Sequence, residues 1–279
     1  MPELPEVETI ARGLHQRIAG DMIESVWLGE KPEPLRSPAE EIVRVLEHSR
    51  IVAVRRVGKH IVVDLERRAR KKTGLKGQWI VHLGMTGQMQ VTRPQVEIAK
   101  HTHAIVKLAS GREVRFVDPR RFGRLAVVRS QSSRIQSFEA PGDEPLEAKL
   151  ERFCELFRRR KTPIKSALLN QKLLSGVGNI YADESLFRAG IRPRRRAASL
   201  THEELRKLHA AVQQVLREAI AAGGSSVSDY VDVDGEGGLF QLQHRVYGRE
   251  GEPCLVCGAP IKRITLAGRS SHYCPHCQK

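Results

Sequence analysis

Met1-Pro2-Glu3-Leu4-Pro5-Glu6-Val7-Glu8-Thr9-Ile10 opens the chain and reads as a helix starting close to the terminus. Val7, Ile10, Leu14 and Ile18 recur at intervals of three and four, one apolar stripe along an amphipathic helix. Pro5 suits the first turn, where a missing N–H costs nothing, and Glu6 and Glu8 lie near the positive end of the helix dipole. If Met1 is removed, Pro2 becomes a free secondary amine with the Glu3 carboxyl beside it. An α-amino group titrates near about 8, against about 10.4 for lysine, so more of it is unprotonated and nucleophilic at neutral pH. The helix end also disfavours a neighbouring ammonium. Such an amine can attack an electrophilic sugar carbon and form an iminium, an electron sink for breaking adjacent C–O bonds. A proline-bearing terminus ahead of an ordinary surface helix fits the same stretch, and these residues alone leave both readings open.

At 279 residues the chain has room for two domains of ordinary size. Lysine and arginine number 47 against 32 acidic residues, a formal net charge of +15. An excess of this size implies a polyanionic partner, most simply nucleic acid. The charge is clustered, in Arg158-Arg159-Arg160-Lys161 and from Arg192 to Arg196. Aromatic residues make up only 5%, which argues against a stacking platform for single-stranded RNA. The sequence has no long apolar run and no basic-then-apolar leader. It therefore implies a soluble, cytoplasmic protein with no membrane partner.

Four of the five cysteines are arranged for metal. Cys254-Leu-Val-Cys257 and Cys274-Pro-His-Cys277 are 16 residues apart, the spacing of two zinc knuckles joined by a hairpin. The expectation is one structural Zn2+. Two disulfides are the alternative, and the lack of an export signal argues against them. His272 and His276 are further candidate ligands, although four thiolates already close a tetrahedral site. Cys154 lies between Phe153 and Phe157 in a helical pattern and reads as a buried core thiol.

Short apolar runs at 22–28, 51–54, 61–65, 79–83, 104–108, 114–117 and 125–128 read as strands, spaced as in a β-sandwich, with a helix around 38–48. The basic stretch Arg67–Lys76 reads as an exposed hairpin loop. From about 145 the period becomes helical: Leu146, Leu150, Phe153 and Phe157, then segments near 163–174, 179–189 and 201–221. Leu174-Ser-Gly-Val-Gly-Asn-Ile-Tyr181 is a glycine-hinged turn opening a helix, where backbone N–H groups can approach a phosphate. Gly223 to Gly238, rich in Gly, Ser and Asp, reads as a mobile loop. The expected fold is α+β: an N-terminal sandwich with flanking helices over 1–132, a helical domain over 133–244 and a zinc hairpin over 245–279.

Taken in order, Pro2-Glu-Leu-Pro-Glu-Val-Glu-Thr9, His82-Leu-Gly-Met-Thr-Gly87, Asp118-Pro-Arg-Arg-Phe-Gly123, Lys161-Thr-Pro-Ile-Lys165, Gly176-Val-Gly-Asn-Ile-Tyr-Ala182, Tyr247-Gly-Arg249 and the cysteine pairs resemble the bacterial formamidopyrimidine-DNA glycosylases along the whole chain. The resemblance implies a helix–two-turn–helix in the helical domain. It also implies an enzyme of base-excision repair that removes 8-oxoguanine and formamidopyrimidines from damaged double-stranded DNA and then cleaves the strand. It implies a monomer near the bacterial nucleoid. Pro2 would be the nucleophile, Glu3 the acid on the sugar ring oxygen, with Glu6 supporting both. Lys59 would reach the lesion phosphate and assist β-elimination, and Arg269, in the zinc hairpin, the last elimination. Asn179 would bind phosphate, act as a helix N-cap, or do both. Met85, Arg120 and Phe122 would fill the gap left by the extruded nucleotide, and His101, Arg120 and Lys161 would contact DNA. The Gly223–Gly238 loop corresponds to the segment that closes over the extruded base.

Two rivals are weighed against this. An endonuclease VIII-like glycosylase for oxidised pyrimidines typically begins Pro-Glu-Gly-Pro-Glu and generally lacks the Asp118–Gly123 stretch. A non-catalytic zinc-ribbon DNA-binding protein accounts for charge and zinc but not for Pro2-Glu3 or the sandwich.

Overall fold

The computed structural model describes residues 1–67, 75–129, 142–227 and 230–279. Most of the basic loop expected between Arg67 and Lys76 lies outside these residues, as does the expected domain boundary near 132. The chain divides into two compact units, Met1–Ala140 with Gly223–Gly238, and Pro141–Ala222 with Leu239–Lys279.

The first unit begins with helix α1 (Leu4–Ile18), whose apolar stripe Val7, Ile10, Leu14 and Ile18 is buried. Strands β1 (Ile23–Leu28), β6 (Thr102–Leu108), β7 (Glu113–Val117) and β5 (Gln88–Thr92) form one antiparallel sheet in that order. Strands β2 (Arg50–Val57), β3 (His60–Arg67), β4 (Leu75–His82) and β8 (Arg124–Arg129) form the other. Inward residues of both sheets, such as Val63, Trp79, Val106 and Phe116, join α1 and helix α2 (Ala39–Leu46) in one core. Burying each such side chain contributes roughly 1.5–3 kcal/mol, which ties α1 firmly to the sheets. His15 adds a polar tie, its Nδ1 accepting from the Val54 amide at 3.1 Å. The sandwich expectation holds. The sequence reading missed β5, because its Gln-Met-Gln-Val alternation carries only two apolar residues, of which Met89 alone is fully buried.

The loop 223–238 belongs to this unit. Its described residues are anchored, contrary to the mobile loop expected from composition. Val233 is 3% exposed within the sandwich core, and Tyr230 packs against that core. Asp234 pairs with Arg17 on α1. Two buried apolar contacts in a polar stretch outweigh its glycine-rich composition.

The second unit contains α3 (Leu150–Phe157), α4 (Ile164–Leu168), α5 (Asn179–Ala189) and α6 (His202–Ala221). A two-stranded hairpin of β9 (Lys262–Leu266) and β10 (Arg269–Tyr273) follows. Helix α4 is far shorter than the 163–174 expected. Asn170 turns the chain, its carbonyl accepting from Leu173 and Leu174, and 142–143 then pairs with 171–175 through bonds such as Ser175 N–H to the Asp143 carbonyl at 2.9 Å. Leu146 falls in a turn before α3. Cys154, expected to be buried, is only half-buried: the buried face of α3 is carried by Phe153, Leu156 and Phe157. No described helix is long and apolar enough to cross a membrane.

Candidate functional site

Pro2 and Glu3 are both buried, and Met1 extends outward from them. Glu3 is the N-cap of α1 and forms a capping box with Glu6: the Glu3 amide donates to Glu6 Oε2 at 2.8 Å, and the Glu3 side chain accepts from the Glu6 amide. The second Glu6 oxygen accepts from the Ser225 amide at 2.8 Å, so one carboxylate holds both the helix start and the 223–238 loop. Gly224 lies against Glu6 with φ +87, and a Cβ there would approach Glu6 Oε1 to 2.8 Å. Tyr230 closes the same corner, its hydroxyl donating to the Gly223 carbonyl at 3.0 Å. Burial, with the Glu6 charge nearby, pushes this phenol well above its usual range and keeps it protonated. The backbone around Pro2 is thus set by bonds to neighbouring main chain rather than by exposed side chains.

A second cluster in the same unit joins two of the quoted motifs through Asp118, which is fully buried. Asp118 Oδ1 accepts from the Thr86 hydroxyl at 2.6 Å and Oδ2 from the Gly123 amide at 2.7 Å. The Thr86 oxygen in turn accepts from the Arg120 amide at 3.3 Å. The Asp118 amide donates to the His101 carbonyl at 2.9 Å. Gly84 (φ +65) fits where a Cβ would lie 2.5 Å from the Phe122 carbonyl carbon. Two loops are therefore locked backbone to backbone, while Met85 is 40% and Phe122 47% exposed. Single exposed apolar side chains are normal on a folded surface; these two differ in standing on a backbone base fixed by buried bonds, which makes them candidates for contact. The Arg120 guanidinium lies 4.9 Å from the Phe122 ring centroid, a cation–π arrangement that holds both side chains together. His101 and Arg120 are exposed beside them.

Lys59 sits in the β2–β3 turn after Gly58 and is 8% exposed, so it is not the solvated strand-end lysine that the sequence alone would suggest. Next to it, His60 and His82 face each other across β3 and β4, with ring centroids 5.0 Å apart. Burial, then the charges of His60, Lys59 and Arg124, lowers the His82 pKa to about 4. His82 Nδ1 accepts from the Gly84 amide at 3.1 Å, which assigns the proton of the neutral ring to Nε2.

In the second unit Asn179 is the first residue of α5, and the N-cap is Gly178. Of the alternatives open for Asn179, the N-cap role is corrected: the residue lies one position inside the helix, and its side-chain amide donates to Ser270 Oγ at 3.3 Å. Its Oδ1 is buried without a hydrogen-bond partner among the described residues. Exchanging amide N and O lets the Ser270 hydroxyl donate to Asn179 and turns the NH2 toward an incoming acceptor. Lys161 is exposed just before α4. Arg269 is exposed at the tip of the β9–β10 hairpin, after a two-residue turn in which Ala267 (φ +48) and Gly268 (φ +76) are both left-handed.

At the root of that hairpin the Sγ atoms of Cys254, Cys257, Cys274 and Cys277 all lie within 4.8 Å of one another. A ZnS4 tetrahedron with bonds of about 2.3 Å needs sulfurs about 3.8 Å apart. The Cys254–Cys277 and Cys257–Cys274 separations of 3.9 and 3.4 Å fit that geometry. Backbone amides of Val256 and Cys277 donate to Cys254 and Cys274 Sγ, as zinc knuckles require of thiolate ligands. His272 and His276 are not in the cluster. Four soft thiolates with no open position hold one structural zinc ion.

Sequence reasoning passed over Ser225, Tyr230 and Asp183, and it quoted Thr86, Asp118 and Lys165 only as members of motifs. Most of their bonds reach partners far away in sequence, as Ser225 N–H does to Glu6 and Lys165 Nζ to the Ser270 carbonyl, which no local pattern signals.

Comparisons with known proteins agree along the whole length. Residues 1–125 match the model of the formamidopyrimidine-DNA glycosylase N-terminal domain, 141–231 that of the formamidopyrimidine-DNA glycosylase H2TH domain, and 251–279 a zinc finger found in FPG and IleRS. The chain is 47% identical over 285 residues to the formamidopyrimidine-DNA glycosylase of Desulfitobacterium hafniense, with all of both chains covered. Its fold is similar to that of the MutM (Fpg) protein of Thermus thermophilus, with a TM-score of 0.86, 42% identity and coverage of 99% of this chain and 98% of that one. A Lactococcus lactis Fpg variant in complex with Fapy-dG-containing DNA gives a TM-score of 0.90 at 33% identity, with all of both chains covered.

Two outcomes follow from the geometry. Asp118→Ala strands the Thr86 hydroxyl and the Gly123 amide, at about 1–3 kcal/mol for each unsatisfied group, and urea denaturation should register the loss. A histidine whose folded pKa lies below its unfolded value of about 6.5 stabilises the protein above that pH and loses the contribution as pH falls toward its folded pKa. For His82 that window runs from about 6.5 down to about 4, and the lowered His60 contributes in the same direction. Melting temperature should therefore fall between pH 7 and pH 5, and fall less steeply in His82→Gln.

Proposed function

The chain belongs to the formamidopyrimidine-DNA glycosylase family, and from that membership we propose how its own residues carry the reaction. The protein is a DNA glycosylase and AP lyase of base-excision repair that removes oxidised purines and binds damaged DNA. The observation that carries the mechanism is the position of Pro2 and Glu3 at a capped helix start, tied through Glu6 to the 223–238 loop.

With Met1 removed, the Pro2 nitrogen uses its lone pair to attack deoxyribose C1′, and the damaged base leaves with the glycosidic electron pair. The attached Pro2 nitrogen gives up its proton, Glu3 protonates the sugar ring oxygen, and the ring opens as the nitrogen lone pair forms the iminium. That cation acidifies the neighbouring C–H bond. Loss of a proton from C2′ expels the 3′ phosphate, with Lys59 beside the lesion phosphate. Loss of a further proton expels the 5′ phosphate, with Arg269 on it. Water then hydrolyses the iminium, freeing Pro2 and the unsaturated sugar aldehyde, and leaves a one-nucleotide gap with a phosphate on both ends. Glu6 fixes the peptide that carries the nucleophile, which matters because a misplacement of about 1 Å can cost about a hundredfold in rate.

The exposed trio Met85, Arg120 and Phe122 supports a role in extrusion. Unstacking a nucleotide costs a few kcal/mol, and an apolar wedge with an aromatic ring offsets part of that cost, while Arg120 bonds the orphaned base. Asn179, His101 and Lys161 grip phosphates on either side. The zinc ion holds the hairpin that carries Arg269 and takes no part in the chemistry. The protein acts as a monomer in the bacterial cytoplasm, at the nucleoid. In the proposed domain division, 1–132 carries the nucleophile and His101, 133–244 carries Asn179 and Lys161, and 245–279 the hairpin, although the 223–238 loop packs with the first unit.

Borohydride reduction in the presence of a duplex with 8-oxoguanine opposite cytosine should link the protein to DNA through Pro2, with far less product from a thymine glycol duplex. A linkage mapped to a lysine, or equal trapping by a form with an uncleaved N-terminal extension, overturns the Pro2 assignment. Stripping the zinc, or Cys274→Ser, should lower DNA affinity in a binding titration without disturbing the melting of the sandwich. Unchanged affinity in the metal-free protein would exclude the structural role.

A further inference from the structure

Lys165 is the most deeply buried cation among the described residues, 1% exposed, and no step of the proposed reaction uses it. Lysine is almost never fully buried unless it is paired. Its partner is Asp183 on α5, itself 0% exposed, with Nζ 2.7 Å from Oδ1. The pair does not close on itself. Lys165 Nζ also donates to the Ser270 carbonyl at 2.6 Å, Asp183 Oδ1 accepts from Ser271 Oγ at 3.0 Å, and Asp183 Oδ2 accepts from the His272 amide at 2.8 Å. Three consecutive residues of β10 are held by this one ion pair, and they follow directly on Arg269.

The zinc site cannot supply that control by itself. Arg269 precedes the nearest ligand, Cys274, by a whole strand, about 17 Å at about 3.4 Å per residue. A two-stranded hairpin is marginally stable on its own, so fixing its root leaves its tip free to swing. The two-residue Ala267-Gly268 turn fixes the register of the strands but not their direction. The bond from Lys165 acts on the Ser270 carbonyl, next to Arg269, and those from Asp183 act at mid-strand, on the Ser271 hydroxyl and the His272 amide.

We infer that the Lys165–Asp183 pair is a positioning device for Arg269, aiming its guanidinium for the second elimination. This rests on the role given above to Arg269. The ion pair spans α4 and α5, the two helices that also carry Asn179 and follow Lys161, so the phosphate grip and the guanidinium share one rigid base. Removing one partner leaves a lone buried charge, a strongly destabilising change. The test therefore needs both Lys165→Met and the paired substitution Lys165→Met with Asp183→Asn, which leaves no net charge behind.

Wild type and variants are loaded with zinc, checked for one zinc per chain, and followed on an 8-oxoguanine duplex. Base release, the singly eliminated product and the doubly eliminated product are quantified separately. The expected result is unchanged base release and first elimination, with the second elimination slowed about ten- to a hundredfold, the scale of a small misplacement. Either substitution added to Arg269→Ala should then produce no further loss, because a positioning pair acts only through the side chain it positions. An unchanged product ratio, parallel slowing of every step, or additivity with Arg269→Ala overturns the inference. A wild-type protein that stops after the first elimination overturns the proposed reaction as well, and is told apart because it shows before any substitution is made.

Discussion

A carboxylate taken out of water must be surrounded by donors, and this molecule meets that requirement with its own backbone. Glu6 collects the amides of Glu3 and Ser225. Asp118 collects the Gly123 amide and the Thr86 hydroxyl. Asp183 collects the His272 amide, and its neighbour Glu184 takes the amides of Arg245, Val246 and Tyr247. In each case the carboxylate sits in or beside regular structure, and at least one donor comes from a segment distant in sequence: Ser225 for Glu6, Thr86 for Asp118, His272 for Asp183 and Arg245–Tyr247 for Glu184. Irregular segments are thereby fixed without a large apolar face of their own, leaving exposed side chains such as Met85, Phe122 and Arg269 available for a ligand.

The same device explains what could be read from the sequence and what could not. Strands with alternating or continuous apolar runs announce themselves, as Ile61–Leu65 does, because burial is written locally in residue type. The cysteine pairs do so too, since metal chemistry fixes their spacing. β5 did not, because its alternation is short and carries only two apolar residues, Met89 and Val91. The 223–238 loop did not, because Val233 and Tyr230 are isolated apolar residues in a polar segment. The candidate site divides in the same way. Pro2, Glu3 and the wedge residues belong to contiguous motifs. Asp118, Ser225 and the Lys165–Asp183 pair act through partners dozens of residues away, and only a folded chain brings those together. Asn179 shows the opposite error, in which a residue type suited to capping lies one position inside the helix.

Each unit thus carries one part of the task on a rigid frame. The first holds the residues proposed as nucleophile, proton donor and wedge around a single sandwich core. The second holds the helix start proposed to face phosphate and the hairpin arginine, with the cysteine cluster at the hairpin root and a buried ion pair against its second strand. Precision comes from many short polar bonds to main chain, each modest in net energy but costly to leave unmade.

The exposed wedge has a chemical liability. Met85 presents a thioether to solvent on the surface proposed to meet oxidised DNA, and the oxidants that damage guanine also convert methionine to its sulfoxide. The added oxygen would turn an apolar tip into a polar, chiral one, poorly suited to lie between stacked bases. Because sulfoxide formation is reversed enzymatically, the repair capacity of a stressed cell would depend partly on how fast its methionine sulfoxide reductases restore this one side chain.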